Sequence, residues 1–195
     1  MNENNNIKYY NEHYLEYYKN TVNLHLQQLD EFMRMMEPGG KVIDLGCGSG
    51  RDSKELLNNG FEVEMVDGSY RLADLASKYT NHDVICATFQ NYTPTGKFQG
   101  LWSCSSLLHL DDTEIISLMN RLIDYLEPKS PIYTSFKYGE GIRKENGRHF
   151  NYKTEKGMDS LISKIPGLRV VKHYTSEDLR TNKHNEWLST FLIVD

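Results

Sequence analysis

The residues best placed to do chemistry begin with three glycines in a run of seven. Asp44-Leu45-Gly46-Cys47-Gly48-Ser49-Gly50 joins an apolar stretch to a helical one. Glycines there let the backbone turn tightly and approach a ligand without a Cβ collision. The helix that follows offers unsatisfied N–H groups and a partial positive charge, which suit a carboxylate or phosphate. Spacing narrows the ligand. A dinucleotide fingerprint starting at Gly46 needs its third glycine at position 51, where the chain has Arg51. No G-K-[ST] follows, which excludes a Walker A loop. Asp67 closes the next apolar run, at the spacing where an acidic residue accepts hydrogen bonds from ribose hydroxyls. Capping the next helix is its alternative role.

Further along, Cys104-Ser105-Ser106 ends another strand-like run and His109 follows it. His109 is a candidate general base, with Ser106 beside it; a histidine bonded to backbone among Leu107, Leu108 and Leu110 is the structural alternative. Lys137, Arg148 and Arg180, with Trp187, are candidates to converge on an anionic acceptor. A solvated hairpin and a tryptophan packed on the sheet edge are the plainer reading of the same residues. Gly139, Gly141 and Gly147 mark a loop able to move over a pocket. Cys47, Cys86 and Cys104 form no C-x-x-C pair, so no metal site is expected and the thiols read as small core hydrophobes in a reducing cytoplasm.

These residues need a scaffold, and the pattern supplies one. The chain has 195 residues, 38% hydrophobic and 25% charged, enough for one sizeable domain. A net charge of −5 argues against a nucleic-acid partner. No apolar run approaches the roughly 20 residues of a membrane span. Residues 1–6 are polar, lack the blocks of a secretory signal and read as a frayed tail. Residues 7–36 are helical, with tyrosines at 10, 14, 17 and 18, and Pro38-Gly39-Gly40 stops them. Strands are expected at 41–45, 61–66, 83–88, 99–105 and 131–136, with helices at 52–59, 69–79, 112–126 and 154–165 and a polar stretch at 137–153. Two last strands, 168–174 and 187–194, have no crossover helix between them, so the final one returns antiparallel at or near the sheet edge. The fold class is α/β: a Rossmann-like, doubly wound sheet of about seven mostly parallel strands with helices on both faces. One domain spans 1–195, with a helical cap at 1–40 and the Rossmann-like core at 41–195.

Asp44 through Gly50 resembles motif I of the class I S-adenosylmethionine-dependent methyltransferases, and Asp67 is similar to their acidic residue after strand two. Gly48 through Ser53, Tyr9-Tyr10-Asn11, Trp102 through His109 and Ser135 through Gly139 are similar to a small bacterial subgroup distantly like tellurite-resistance methyltransferases. The resemblance implies S-adenosylmethionine as cofactor, S-adenosylhomocysteine as product, and in-line transfer of a methyl group to a small-molecule acceptor. It implies backbone contacts from Gly46, Gly48 and Gly50 to the methionine part, Asp44 at the amino group, Asp67 on the ribose, and Ser69 or Tyr70 beside adenine. Cys47, Asp52, Gly68 and Cys104 complete the expected cofactor shell, and Tyr10 roofs it. The family's acidic residue after strand three is missing from Cys86-Ala87-Thr88-Phe89-Gln90, which leaves adenine to Thr88 and the Phe89 backbone. Alignment supplies much of the acceleration in such a transfer, and a base is needed only if the acceptor must lose a proton. The competing reading is a regulatory or partner-dependent protein that binds the cofactor without methylating. A nucleic-acid or protein methyltransferase is disfavoured by the acidic balance and the short chain, and a nicotinamide-dependent oxidoreductase is a remote option.

Overall fold

Three helices come first in this computed structural model, which describes residues 5–180 and 185–195. They are α1 (Asn5–Glu12), α2 (Tyr14–Thr21) and α3 (Gln27–Arg34). The frayed-tail expectation fails at Asn5 and Asn6, and its first four residues lie outside the described ones. Asn6 is 6% exposed, and its amide donates to the His109 carbonyl at 3.4 Å while its Oδ1 accepts the His149 N–H at 2.8 Å. A single side-chain amide thus serves one backbone acceptor and one backbone donor, which composition alone cannot reveal.

Strands and helices then alternate: β1 (Lys41–Leu45), α4 (Arg51–Asn58), β2 (Glu62–Asp67), α5 (Tyr70–Thr80), β3 (Val84–Cys86), β4 (Gly100–Ser103), α6 (Asp112–Leu122) and β5 (Pro131–Lys137). The seven-stranded sheet has the order β3-β2-β1-β4-β5, followed by two later strands. All pairings through β5 are parallel. Residues 87–99 cross from β3 to β4 without a helix, and there the strand order reverses about β1. Such a switch point opens a crevice at the carboxyl ends of the strands.

The 137–153 stretch follows the plainer of its two readings. It holds a hairpin, β6 (Ile142–Glu145) and β7 (Arg148–Asn151), turning at Asn146-Gly147. Both turn residues have positive φ, 49° and 79°, as a two-residue hairpin turn of this type requires. Next come α7 (Glu155–Ile162), β8 (Leu168–Glu177) and β9 (Glu186–Val194). β9 runs antiparallel to both β5 and β8 and lies between them, one place in from the edge.

Alternate residues along the strands feed two cores. Val42, Trp102, Tyr133 and Phe191 meet Leu29, Phe32 and Leu56 on one face. Ile43, Leu101, Ile132 and Leu192 meet Ile115, Met119 and Met158 on the other. Burial on both faces explains why these strands read as nearly continuous apolar runs. Helix α6 starts on a reciprocal cap: Asp111 accepts from the Glu114 N–H at 2.8 Å, and Glu114 reaches back to the Asp111 N–H at 3.0 Å.

Candidate active site

The glycine loop leaves β1 at the switch point. Gly46, Gly48 and Gly50 all have positive φ, 84°, 56° and 76°. A Cβ on Gly46 would sit 2.4 Å from the Ser106 Cβ, and one on Gly48 would sit 2.9 Å from the Tyr17 hydroxyl. The loop is anchored before any ligand arrives. The Gly46 and Cys47 N–H groups both donate to the Val66 carbonyl, at 2.8 and 2.9 Å. The two Asp67 oxygens accept the Gly48 and Ser69 N–H groups, each at 2.8 Å. Burial raises the Asp67 pKa, and these two backbone donors oppose the rise. Ser106 donates to the Leu45 carbonyl at 2.5 Å and pairs with the Ser103 hydroxyl at 2.6 Å.

A cavity with about 680 Å³ of empty space opens under this loop. Gly46, Gly48, Asp67, Gly68 and Ser69 line one side of it. Thr88, Phe89, Ser106, His109 and Tyr10 line the rest of the expected set. The Phe89 carbonyl is already taken, by Arg121 at 2.6 Å. Asn6, Ile7 and Tyr17 complete the roof from α1 and α2, and none of the three was singled out from sequence. Tyr17 had a signal, since it shares the helical tyrosine spacing, but that spacing reads equally well as packing. Asp44, Cys47, Gly50 and Asp52 lie off this cavity's wall. Gly50 faces Ala76 of α5, whose Cα would be 3.1 Å from an added Cβ.

His109 is held at both ring nitrogens. Nδ1 lies 2.8 Å from the His149 carbonyl, which can only accept, so Nδ1 carries the proton. Nε2 is then an acceptor, 2.9 Å from the Tyr10 hydroxyl. Burial, aided by nearby Arg148 and Lys137, pulls the His109 pKa down to about 4. The ring is neutral at physiological pH and bonded within the protein. Arg148 Nη1 reaches the Tyr10 hydroxyl at 3.3 Å, and its guanidinium stacks over Tyr9 at 4.0 Å and Phe150 at 4.9 Å.

A second cavity, with about 1180 Å³ of empty space, lies beyond the loop. Cys104, Ser105, Tyr133 and Ser135 form its floor, with Trp187, Leu179 and Arg180 on one side. Cys104, expected beside the cofactor, lines this space instead, while Ser105 and Ser106 after it reach the first cavity. Beneath both cavities sits a charged cluster. Arg51 donates twice to Asp52, at 2.6 and 2.8 Å, and the Trp102 indole N–H donates to the same carboxylate at 2.8 Å. Asp44 accepts the Ser53 hydroxyl at 2.5 Å. Burial, then Asp52, push the Asp44 pKa up to about 8.

Asp44 therefore makes stability depend on pH. Above the ordinary carboxyl value of 3.8 and up to about 8, the unfolded chain has released a proton that the folded chain keeps, so rising pH favours unfolding. His109 acts oppositely between about 4 and 6.5, because the unfolded chain then binds the extra proton. From 6.5 to about 8 the opposing contribution of His109 is over and the fall due to Asp44 remains. Urea denaturation across that window is expected to show it, and Asp44→Asn is expected to flatten the slope. An unaltered slope in the variant would disprove the assignment.

The expected cationic cluster is not gathered in one place. Lys137 is buried, ion-paired to Glu145, and its ammonium lies 4.0 Å from the Phe150 ring centre. Arg180 is paired twice with Asp178, at 2.8 and 2.5 Å. Arg180 and Trp187 line the second cavity, while Lys137 and Arg148 line neither. Lys137 and Arg180 each found a carboxylate within the chain, close in sequence, and Arg148 found aromatic faces. Among the described residues there is no cluster of three potential metal ligands, and no helix is long and apolar enough to cross a membrane.

Residues 42–129 match a family model described as a methyltransferase domain. Solved structures agree over nearly the whole chain. The 1,6-didemethyltoxoflavin-N1-methyltransferase of Burkholderia thailandensis, with its acceptor and S-adenosylhomocysteine bound, superposes with TM-score 0.77 at 16% identity, over 97% of this chain and 87% of that one. The fold of this chain is that of these solved methyltransferases, and the family match lies over its first four strands. The N-methyltransferase NodS of Bradyrhizobium japonicum matches it with TM-score 0.67 at 13% identity, covering 94% of this chain and 97% of that one. In sequence, the alpha N-terminal protein methyltransferase 1 of Drosophila melanogaster is 30% identical over 115 residues, 53% of this chain and 42% of that protein. The Arabidopsis thaliana protein of the same name is 31% identical over 100 residues, 45% and 36% of the two chains. The chain spans less than half the length of these curated relatives.

The first cavity has a lining that fits a nucleoside with an amino-acid tail. Asp67 retains unused lone pairs toward it, positive-φ glycines form its floor where a Cβ would collide, and the Phe89 side chain and Leu72 offer apolar walls.

Proposed function

We propose that the protein is an S-adenosylmethionine-dependent methyltransferase with its donor in the first cavity and its acceptor in the second. One observation carries the reading: the buried Asp67 carboxylate, at the end of β2, both ties the glycine loop and faces the cavity that the loop encloses. When bound, S-adenosylmethionine supplies a methyl group on a cationic sulfur with a neutral leaving group. Asp67 would accept hydrogen bonds from the ribose hydroxyls, Thr88 and Phe89 would flank the adenine, and Tyr10 would cover it. Gly46 and Gly48 admit the methionine part. Asp44, behind the loop, would act on the amino group only at a distance. His109 shapes the wall by fixing Tyr10, and Ser106 holds the loop; neither is assigned a proton transfer.

The acceptor we infer is an uncharged small molecule presenting a nitrogen. Two of the neighbours are N-methyltransferases by name, and one holds a small heterocycle. The expected anionic acceptor is not carried forward, because Arg51 and Arg180, the guanidinium groups at the second cavity, are each neutralised by an aspartate. A protein amino terminus is the second reading, favoured by the two curated relatives. Calorimetry with S-adenosylmethionine and S-adenosylhomocysteine tests the donor site, and binding of neither overturns the proposal. Methyl release over neutral heterocyclic amines and short peptides then chooses the acceptor; donor binding with no turnover on any would favour a regulatory binder.

A further inference from the structure

Two residues line both cavities: Tyr17, from α2, and Ser105, from the turn after β4. The Tyr17 hydroxyl is the nearest atom to the space above Gly48, 2.9 Å from where a Cβ would stand, so Tyr17 itself is a reason for that glycine. Its ring packs edge-on against Tyr10 at 5.3 Å. The two hydroxyls differ in one respect. Tyr10 bonds to His109 and Arg148, whereas the Tyr17 hydroxyl has no hydrogen-bond partner among the described residues.

Ser105 marks the same place by its backbone. Its φ is +53°, a left-handed conformation that residues with a side chain seldom adopt. The turn is held by the Ser105 N–H donating to the Ser135 hydroxyl at 2.8 Å, with the two hydroxyls 3.2 Å apart. Strain kept in place by such bonds recurs at functional sites.

A methyl group passes between donor and acceptor only when the reacting atoms stand about 3–3.5 Å apart and in line. It must therefore cross where the two cavities meet. We propose that Tyr17 and Ser105 flank this crossing, with the free oxygen of Tyr17 turned toward the positively charged methyl–sulfur group. This rests on the donor reading above. In the transfer, the acceptor nitrogen's lone pair forms the new bond to the methyl carbon as the carbon–sulfur pair is left on sulfur. The nitrogen, now cationic, sheds a proton to water. The phenol oxygen favours the cationic donor over its neutral product, a distinction that a merely structural tyrosine would not make.

The ratio of the two affinities tests this without an acceptor. Calorimetry on Tyr17→Phe is expected to weaken S-adenosylmethionine about five-fold, the loss of one modest polar contact, and to leave S-adenosylhomocysteine within about two-fold. An unchanged ratio, or equal loss of both ligands, would overturn the proposal. Wild-type protein that binds neither ligand overturns the donor reading, and this inference with it. If Tyr17→Phe does not fold, the same ratio in Ser105→Ala decides, and it too is expected to fall.

Discussion

Asp67→Ala is expected to abolish tight donor binding and to weaken the fold together. The carboxylate is 8% exposed, and removing it leaves the Gly48 and Ser69 N–H groups without their acceptor. Each orphaned buried donor costs about 1–3 kcal/mol, so stability is expected to fall by roughly 2–6 kcal/mol. The ribose contact goes at the same time as the loop's anchor. A loss in donor affinity above about a hundred-fold, some 3 kcal/mol, is therefore expected by calorimetry. Asp67→Asn should fall between, since an amide offers one acceptor where two donors converge. Unchanged affinity in the alanine variant would remove Asp67 from the site.

The second large effect lies under the cavities. Asp52→Ala is expected to destabilise the protein by about 3–5 kcal/mol, because the Arg51 charge is left uncompensated in a largely buried place. The Arg51 side chain is 16% exposed, and the fully buried Trp102 indole loses its acceptor as well. Urea denaturation reads this directly. Asp52→Asn keeps an acceptor for Trp102 and should recover part of the loss. A cost below about 1 kcal/mol would mean that the pair behaves like an exposed one.

Some of this was legible beforehand for local reasons. Glycines at 46, 48 and 50 answer a demand of their own backbone, and an aspartate at a strand end sits where the switch point opens. The sheet was readable because both its faces are buried, so its strands appear as apolar runs. The hairpin at 142–151 carried the Asn146-Gly147 signal, but its polar strands mask the alternation that normally accompanies such a turn. Beyond Tyr10, the roof was not legible. Asn6 meets partners 103 and 143 residues away, and no local pattern announces a contact of that range. Ser105 has an ordinary side chain in an unusual conformation, imposed by Ser135 from the neighbouring strand. The cationic residues misled for the opposite reason: Lys137 and Arg180 look available until Glu145 and Asp178 are seen against them.

Helix α1 is fastened along its length, by Asn6 to β7 and the His109 turn, by Tyr10 to His109, and by Asn11 to Ser69 at 2.7 Å. Asn6, Ile7 and Tyr10 also roof the first cavity. On the proposed function, a donor held there is expected to exchange more slowly for as long as this helix stays fastened. Affinity and exchange rate are then governed by different parts of the molecule. On that reading the carboxyl ends of the strands are expected to set how tightly the donor is held, and the fastening of one eight-residue helix how often spent product is replaced.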